Sequence, residues 1–223
     1  MKRIALFILP LLAFVGCKDD REMDVMDTFS QSFNAIRVHT YGDVFIMQAD
    51  SQTIHISGPQ KMVKKVDFKV RDGELVVSSA LNINIGVGAT KNVSIVITAP
   101  DIARLDFSGA GDFTCNGLTL NHDLHMLTQG AGDINIADLQ CENFNLKFQG
   151  AGEFKGVNLQ CENIDVNASG VGSANLNVQC RNTLAVNLSG VGSVSVTGTT
   201  KYLDLQHDGI GSVNVKQLTV SGE

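Results

Sequence analysis

Two sets of side chains have types and spacing that could do chemistry. Gln-Cys recurs at Gln140-Cys141, Gln160-Cys161 and Gln179-Cys180, with Cys115 further upstream. If residues 20 apart stack as neighbouring strands, those thiols lie about 5 Å apart at Cα, a separation a disulfide tolerates. A metal site would want a Cys-x-x-Cys pair or a nearby His, and neither is present. The favoured reading is a column of small buried cysteines packed as hydrophobes. Asp112, Asp133 and Glu153 form the second set, one place after successive Gly-x-Gly triplets. Stacked carboxylates repel unless an oxygen-liking cation such as Ca²⁺ sits between them; carboxylates splayed into water are the favoured reading, and the metal expectation is none. His122, His125 and His207 are scattered, and no Gly-x-Ser-x-Gly nucleophile motif occurs. No cofactor is implied.

The element that must position these residues is a repeat. Gly-x-Gly recurs in register six times, at Gly109 and Gly111, Gly130 and Gly132, Gly150 and Gly152, Gly170 and Gly172, Gly190 and Gly192, and Gly209 and Gly211. The first glycines are 21, 20, 20, 20 and 19 residues apart. A period near 20 marks a solenoid. Before each triplet the chain alternates apolar and polar: Phe144, Leu146, Phe148; Ile164, Val166, Ala168; Leu184, Val186, Leu188. That is the period of a strand with one buried face. A second alternation follows each triplet (Ile134 and Ile136; Val194 and Val196), then a third apolar point at Leu139, Leu159 and Val178. No 3.6-residue pattern competes. The spacing predicts an all-β fold: a right-handed parallel β-helix with three short strands per coil. All twelve glycines are expected to be turn residues at one corner of it.

At the start, Lys2 and Arg3 precede a short apolar run from Ile4 to Val15, so residues 1–16 read as a secretory signal peptide. Phe14-Val15-Gly16-Cys17 resembles a bacterial lipobox, which implies lipidation of Cys17. Lys18-Asp19-Asp20 resembles the export tag of surface lipoproteins, against a plain charged tether. Residues 17–30 are expected to be an acidic linker. Loss of Lys2 and Arg3 takes 17 basic residues to 15 against 23 acidic, a balance of −8. That argues against nucleic acid or anionic lipid as partner.

Residues 31–223 read as one domain, with an irregular β part (31–107) running without a linker into the regular solenoid (108–223). Strands are expected at Phe33–Val38, Val44–Gln48, Thr53–Ser57, Val66–Val70, Glu74–Ser78, Val93–Thr98 and Ala103–Phe107. A helical turn is expected at Gln60–Lys65 and a loop at Asn82–Asn92. The early strands serve as larger coils or as a cap over an otherwise open stack.

On the residues Phe33-Asn34-Ala35-Ile36, Val44-Phe45-Ile46, Asp72-Gly73-Glu74-Leu75-Val76-Val77, Val93 to Pro100 and Ile102 to Gly111, residues 31–218 resemble the auto-transporter adhesin, head GIN domain family. The resemblance implies a β-helical, envelope-associated protein and brings no catalytic residue.

Coils of nearly equal length leave no long loops to build a cleft, so a non-enzymatic binding or scaffold protein is expected rather than a polysaccharide-active β-helix enzyme. The candidate binding surface is a ladder of outward polar residues: Asn145, Lys147, Asp165, Asn167 and Asn187. Expected partners are the membrane through the lipid, a glycan or surface protein, and a second copy of the chain. The expected location is the outer membrane, on its outer surface or facing the periplasm as a scaffold.

Overall fold

The computed structural model describes residues 21–80 and 92–222. The expected leader, Cys17, the Lys18-Asp19-Asp20 segment and nearly all of the Asn82–Asn92 loop lie outside them. The chain is all-β, 78% strand and 2% helix. Its elements are β1 (Glu22–Thr28), β2 (Ala35–Gln48), β3 (Thr53–Pro59), α1 (Gln60–Val63), β4 (Val66–Arg71), β5 (Glu74–Ser79), β6 (Val93–Ala99) and β7 (Arg104–Ala110). They continue with β8 (Phe113–Thr119), β9 (Leu124–Ala131), β10 (Ile134–Cys180), β11 (Thr183–Leu188), β12 (Val191–Thr200), β13 (Tyr202–His207) and β14 (Ile210–Val220).

Two walls of parallel strands meet at the Gly-x-Gly corner. In the first wall Ala35 lies beside both Glu74 and Arg104, Arg104 beside His125, Leu124 beside Phe144, Ile164 beside Leu184, and Leu184 beside Leu203. In the second, Gly42 pairs with Val93, Val44 with Phe113, Phe113 with Ile134, Val171 with Val191, and Val191 with Ile210. From Arg104 onward each step advances the sequence by one repeat and keeps like residues together. β2 and β10 bend across the corner and belong to both walls. This closes a ring of five strands, β2–β7–β9–β10–β8, each hydrogen-bonded to the next.

The expectation that the glycines are turn residues is corrected at most of them. Gly152 and Gly172 lie inside β10, Gly192 inside β12 and Gly211 inside β14. Gly109, Gly130, Gly150 and Gly170 are strand residues as well, in β7, β9 and β10. Only Gly111, Gly132, Gly190 and Gly209 fall between strands. The corner is thus a bend taken without breaking the ladder. Gly172 still pairs with Gly192, and Gly192 with Gly211, in the parallel register. The physical reason is close approach. A Cβ on Gly152 would run into the carbonyl oxygen of Gly132 one coil earlier, and Gly172, Gly192 and Gly211 meet Gly152, Gly172 and Gly192 in the same way. Their φ of 146° to 157° lets the strand bend where no side chain fits.

Alternation of period two sends one residue set into the space between the walls. Phe144, Leu146, Ile164, Val166, Leu184 and Val186 come from the first wall, and Ile134, Ile136, Phe154, Val194 and Val196 from the second; all are buried. Each such side chain contributes roughly 1.5–3 kcal/mol over exposure. Leu139, Leu159 and Val178 are buried too, behind a further bend. Asp138 and Asn158 make that bend with φ of 53° and 57°, in the left-handed region that Asp and Asn enter more readily than other side chains.

The stack begins under antiparallel strands. β1 pairs with β3, β3 with β6, and β4 with β5. Phe29 sits edge-on to Phe33 and Phe68, at 5.5 and 6.0 Å between ring centres. The linker expected over residues 17–30 is corrected too: Glu22–Thr28 is a strand. Met23 and Val25 pack against the core while β3 supplies the backbone partners, so a short apolar alternation among acids suffices for an edge strand. α1 falls within the helical turn expected at Gln60–Lys65. Tyr41-Gly42-Asp43, between the strands expected at Phe33–Val38 and Val44–Gln48, does not break the strand: β2 runs through it.

A candidate binding face and its hydrogen-bonded ladders

The first wall places the expected ladder on its outward side, and none of its five residues is buried. Asn145 stacks on His125 and Lys147 on Leu127. Asp165 stacks on Ala185, Asn167 on Asn187, and Asn187 on Gln206. The repeat that sets Gly150 against Gly170 carries Asn145 to Asp165 and Lys147 to Asn167. The structure therefore gathers all five into two adjacent columns. Asn167 Nδ2 donates to Asp165 Oδ1 at 2.7 Å, linking the columns. Asn187 Oδ1 is shielded and accepts no hydrogen bond from the described residues.

The columns extend toward the N-terminal end through residues outside the expected ladder. Arg104 stacks on His125, and Asp106 on Leu127 and Arg37. Arg104 grips Asp106 in a bidentate contact of 2.8 and 3.1 Å, and Arg37 reaches Glu74 at 2.9 Å. The Arg104 guanidinium is pushed up from its ordinary value first by the hydrogen bond to Asp106 and then by its charge. The face thus offers charged, amide and apolar groups at a strand-to-strand spacing of about 4.8 Å.

The carboxylates after the glycines are spent within the stack. Asp133 N–H donates to Asp112 Oδ1 at 3.0 Å, and Glu153 N–H to Asp133 Oδ1 at 2.9 Å. Asp43, 69 residues upstream of Asp112, starts the series by accepting from Asp112 N–H at 3.1 Å. Asn175 donates to Glu153 Oε1 at 2.6 Å. Asp43, Asp112 and Asp133 each answer a neighbouring N–H group, and Glu153 answers an amide. Among the described residues no group of three or more His, Cys, Asp or Glu is placed to hold a metal ion.

All four described cysteines are buried and unbonded. Cys115 belongs to the second wall, stacked between Ile46 and Ile136, where burial pushes its thiol up to about 12. Cys141 and Cys161 lie 3.3 Å apart at sulfur. The hydrogen bond between them holds the proton on Cys141 and lowers Cys161. Cys180 Sγ is turned to the Glu162 carbonyl at 3.4 Å. His122 faces Asp123 O at 2.8 Å and Asp101 Oδ1 at 2.6 Å, so both ring nitrogens meet acceptors and its pKa is raised.

Behind the cysteines runs a ladder that sequence reasoning missed. Asn143 Nδ2 donates to Asp123 Oδ1, Asn163 Nδ2 to Asn143 Oδ1, and Asn182 Nδ2 to Asn163 Oδ1, at 2.6, 2.7 and 3.0 Å. The recurring Asn two places after each Gln-Cys cysteine, at Asn143, Asn163 and Asn182, is the available signal. This column occupies the third side of the coils. It borders a groove of about 540 Å³ containing Gln140, Glu142, Glu162 and Arg181. A second groove, of about 370 Å³, continues from Arg181 to Lys201.

No described helix is long and apolar enough to cross a membrane. No curated protein matches the chain. Among solved structures, the fold is similar to that of a "putative adhesin" from Bacteroides fragilis, with 21% identity, TM-score 0.68, and coverage of 87% of this chain and 96% of that one. It is also similar to a "putative lipid binding protein" from Parabacteroides distasonis, with 14% identity, TM-score 0.50, and coverage of 86% and 96%. The family model described as "Putative auto-transporter adhesin, head GIN domain" matches residues 32–217, and the chain belongs to that family.

Proposed function

We propose that the chain is a non-enzymatic envelope lipoprotein that binds a glycan or a surface protein through the outward columns of its first wall. In this reading the coils form a right-handed parallel β-helix, residues 1–16 are a signal peptide, and Cys17 carries the lipid that holds the domain to the outer membrane, facing outward. The observation that carries it is the register. Asn145 and Asp165 stand in one column, and Lys147, Asn167 and Asn187 in the next, all outside the core. Repeated amides and carboxylates about 4.8 Å apart on a rigid wall suit an extended ligand with repeating hydroxyl or amide groups. Membership of an adhesin family and repeat coils of nearly equal length from Gly109 onward support binding over catalysis.

The test is adhesion of cells carrying the Asn145→Ala, Asp165→Ala, Asn187→Ala triple variant to glycan- or protein-coated surfaces. Loss of adhesion at unchanged surface level is expected, and wild-type adhesion would count against the columns. The grooves around Glu162 and Arg181 favour a second reading, in which the ligand sits on the third side. Adhesion lost in Arg181→Ala and kept in the triple variant would select it. The remaining alternative is a periplasm-facing scaffold, for which no external ligand would be found.

A further inference from the structure

The four buried thiols are not equivalent. Cys115 stands on the second wall, stacked between Ile46 and Ile136. Cys180 Sγ is turned to the Glu162 carbonyl at 3.4 Å. Cys141 and Cys161, 20 residues apart, face each other instead, with their sulfurs at 3.3 Å. Two places further on, the Asn163 to Asn143 hydrogen bond of 2.7 Å holds the same two coils in register. Closing the sulfurs to the ~2.05 Å of a disulfide asks for roughly 1.3 Å of movement. Side-chain rotation supplies that between coils about 4.8 Å apart. The pair is also reachable from outside. Cys141 lines the groove of about 540 Å³ on the third side, with Glu142, Glu162 and Arg181. It keeps 6% of its surface exposed, whereas Cys161 keeps none.

We propose that Cys141 and Cys161 are a dithiol redox site, which takes a disulfide bond from a low-molecular-weight disulfide entering the third-side groove. Cys141 gives up its proton, and its sulfur attacks one sulfur of the incoming disulfide. The incoming S–S bond breaks, one thiolate leaves, and a mixed disulfide remains on Cys141. Cys161 then gives up its proton and attacks Cys141 Sγ, which releases the second thiolate. The two protons lost match the two thiolates released. One disulfide is therefore reduced outside for each one formed inside. The product ties two stacked coils together beside the Asn143–Asn163–Asn182 ladder. Cys115 and Cys180 stay reduced, the first because it belongs to the other wall and the second because its sulfur is turned away. The exported location proposed above is one in which such a bond persists. The pairing itself rests on the sulfur geometry and is independent of the outward ligand columns.

The experiment takes the full chain in nonionic detergent, reduced, freed of reductant, and incubated in its folded state with glutathione disulfide as the probe. Remaining thiols are alkylated in urea. The chain is then cleaved after Lys, Arg and Glu, which puts Cys141, Cys161 and Cys180 on separate peptides. Cys115 shares the Cys141 peptide, so the mapping is repeated in Cys115→Ala. The expected product is a Cys141–Cys161 peptide pair, with Cys115 and Cys180 alkylated, and dithiothreitol reverses it. Cys161→Ala is expected to stop at a glutathione adduct on Cys141, and Cys180→Ala to leave the bond unchanged. The wild-type mapping decides the matter whether or not the alanine variants fold. Alkylation of all four thiols in the wild type, an adduct on Cys141 that never bonds Cys161, or a bond between Cys161 and Cys180 would each overturn the proposal.

Discussion

Replacing Gly132 by Ala tests whether the coils are stacked as closely as the structure has them. Gly132 has φ of +142°, and a Cβ built there runs into the carbonyl oxygen of Gly111, backbone of the preceding coil. Holding a non-glycine residue at such a φ costs roughly 1–3 kcal/mol. Displacing packed backbone adds roughly 1–3 kcal/mol more, so about 4 kcal/mol is expected in all. Gly73 is the control. Its φ of +76° is also positive, but nothing lies within 4 Å of an added Cβ, so only the backbone term remains, about 1–2 kcal/mol. Urea unfolding reads the difference. With a slope of about 2 kcal/mol per molar, Gly132→Ala lowers the midpoint by about 2 M and Gly73→Ala by less than about 1 M. Equal shifts at the two positions would refute the claim that inter-coil approach, rather than φ alone, demands glycine.

Other outcomes follow from the same geometry. Asn163→Ala removes a donor to Asn143 and an acceptor for Asn182 and for Thr183 N–H. A loss of about 2–3 kcal/mol in urea unfolding is expected, since a part-buried amide is left unpaired. Phe144→Ala empties a fully buried site and should cost about 3–5 kcal/mol, whereas Phe45→Ala on the partly exposed side should cost under about 1 kcal/mol. The Cys115 thiol is raised by burial from 9.0 to about 12. A raised folded-state value means the contribution is complete below pH 9 and lost as pH climbs toward 12. Stability measured across that window should fall, and Cys115→Ala should flatten that part of the profile.

The buried half of this fold is written in period two and period 20. Leu124, Phe144, Ile164, Leu184 and Leu203 are read as one column from spacing alone, because each coil repeats the last. The same logic locates the outward residues Asn145 and Asp165. The glycine period locates the corner but not its conformation. Gly152, Gly172, Gly192 and Gly211 read as turns because isolated glycines usually punctuate a chain, whereas here the neighbouring coil keeps the backbone paired through the bend. Spacing also fails where the period breaks. Asp43 and Asp112 are neighbours across 69 residues because four strands and a helix are inserted between their coils, and no local pattern encodes that offset. β1 escapes because its alternation is short and its pairing partner, β3, lies about 30 residues on. Cys115 groups with the Gln-Cys series by residue type, yet it points in from the other wall. The Asn143–Asn163–Asn182 ladder stands in plain view at the repeat period, but polar residues near a corner read as solvated loop until their hydrogen bonds are known.

The central claim is that a lipid-tethered domain presents the Asn145 and Lys147 columns to the outside of the cell. Protease shaving of intact cells, with a tag placed after Glu223, tests it most directly. Loss of the tag while the outer membrane is intact is the predicted result. Protection until that membrane is opened would contradict the claim, leaving the columns facing the periplasm and the scaffold reading in its place.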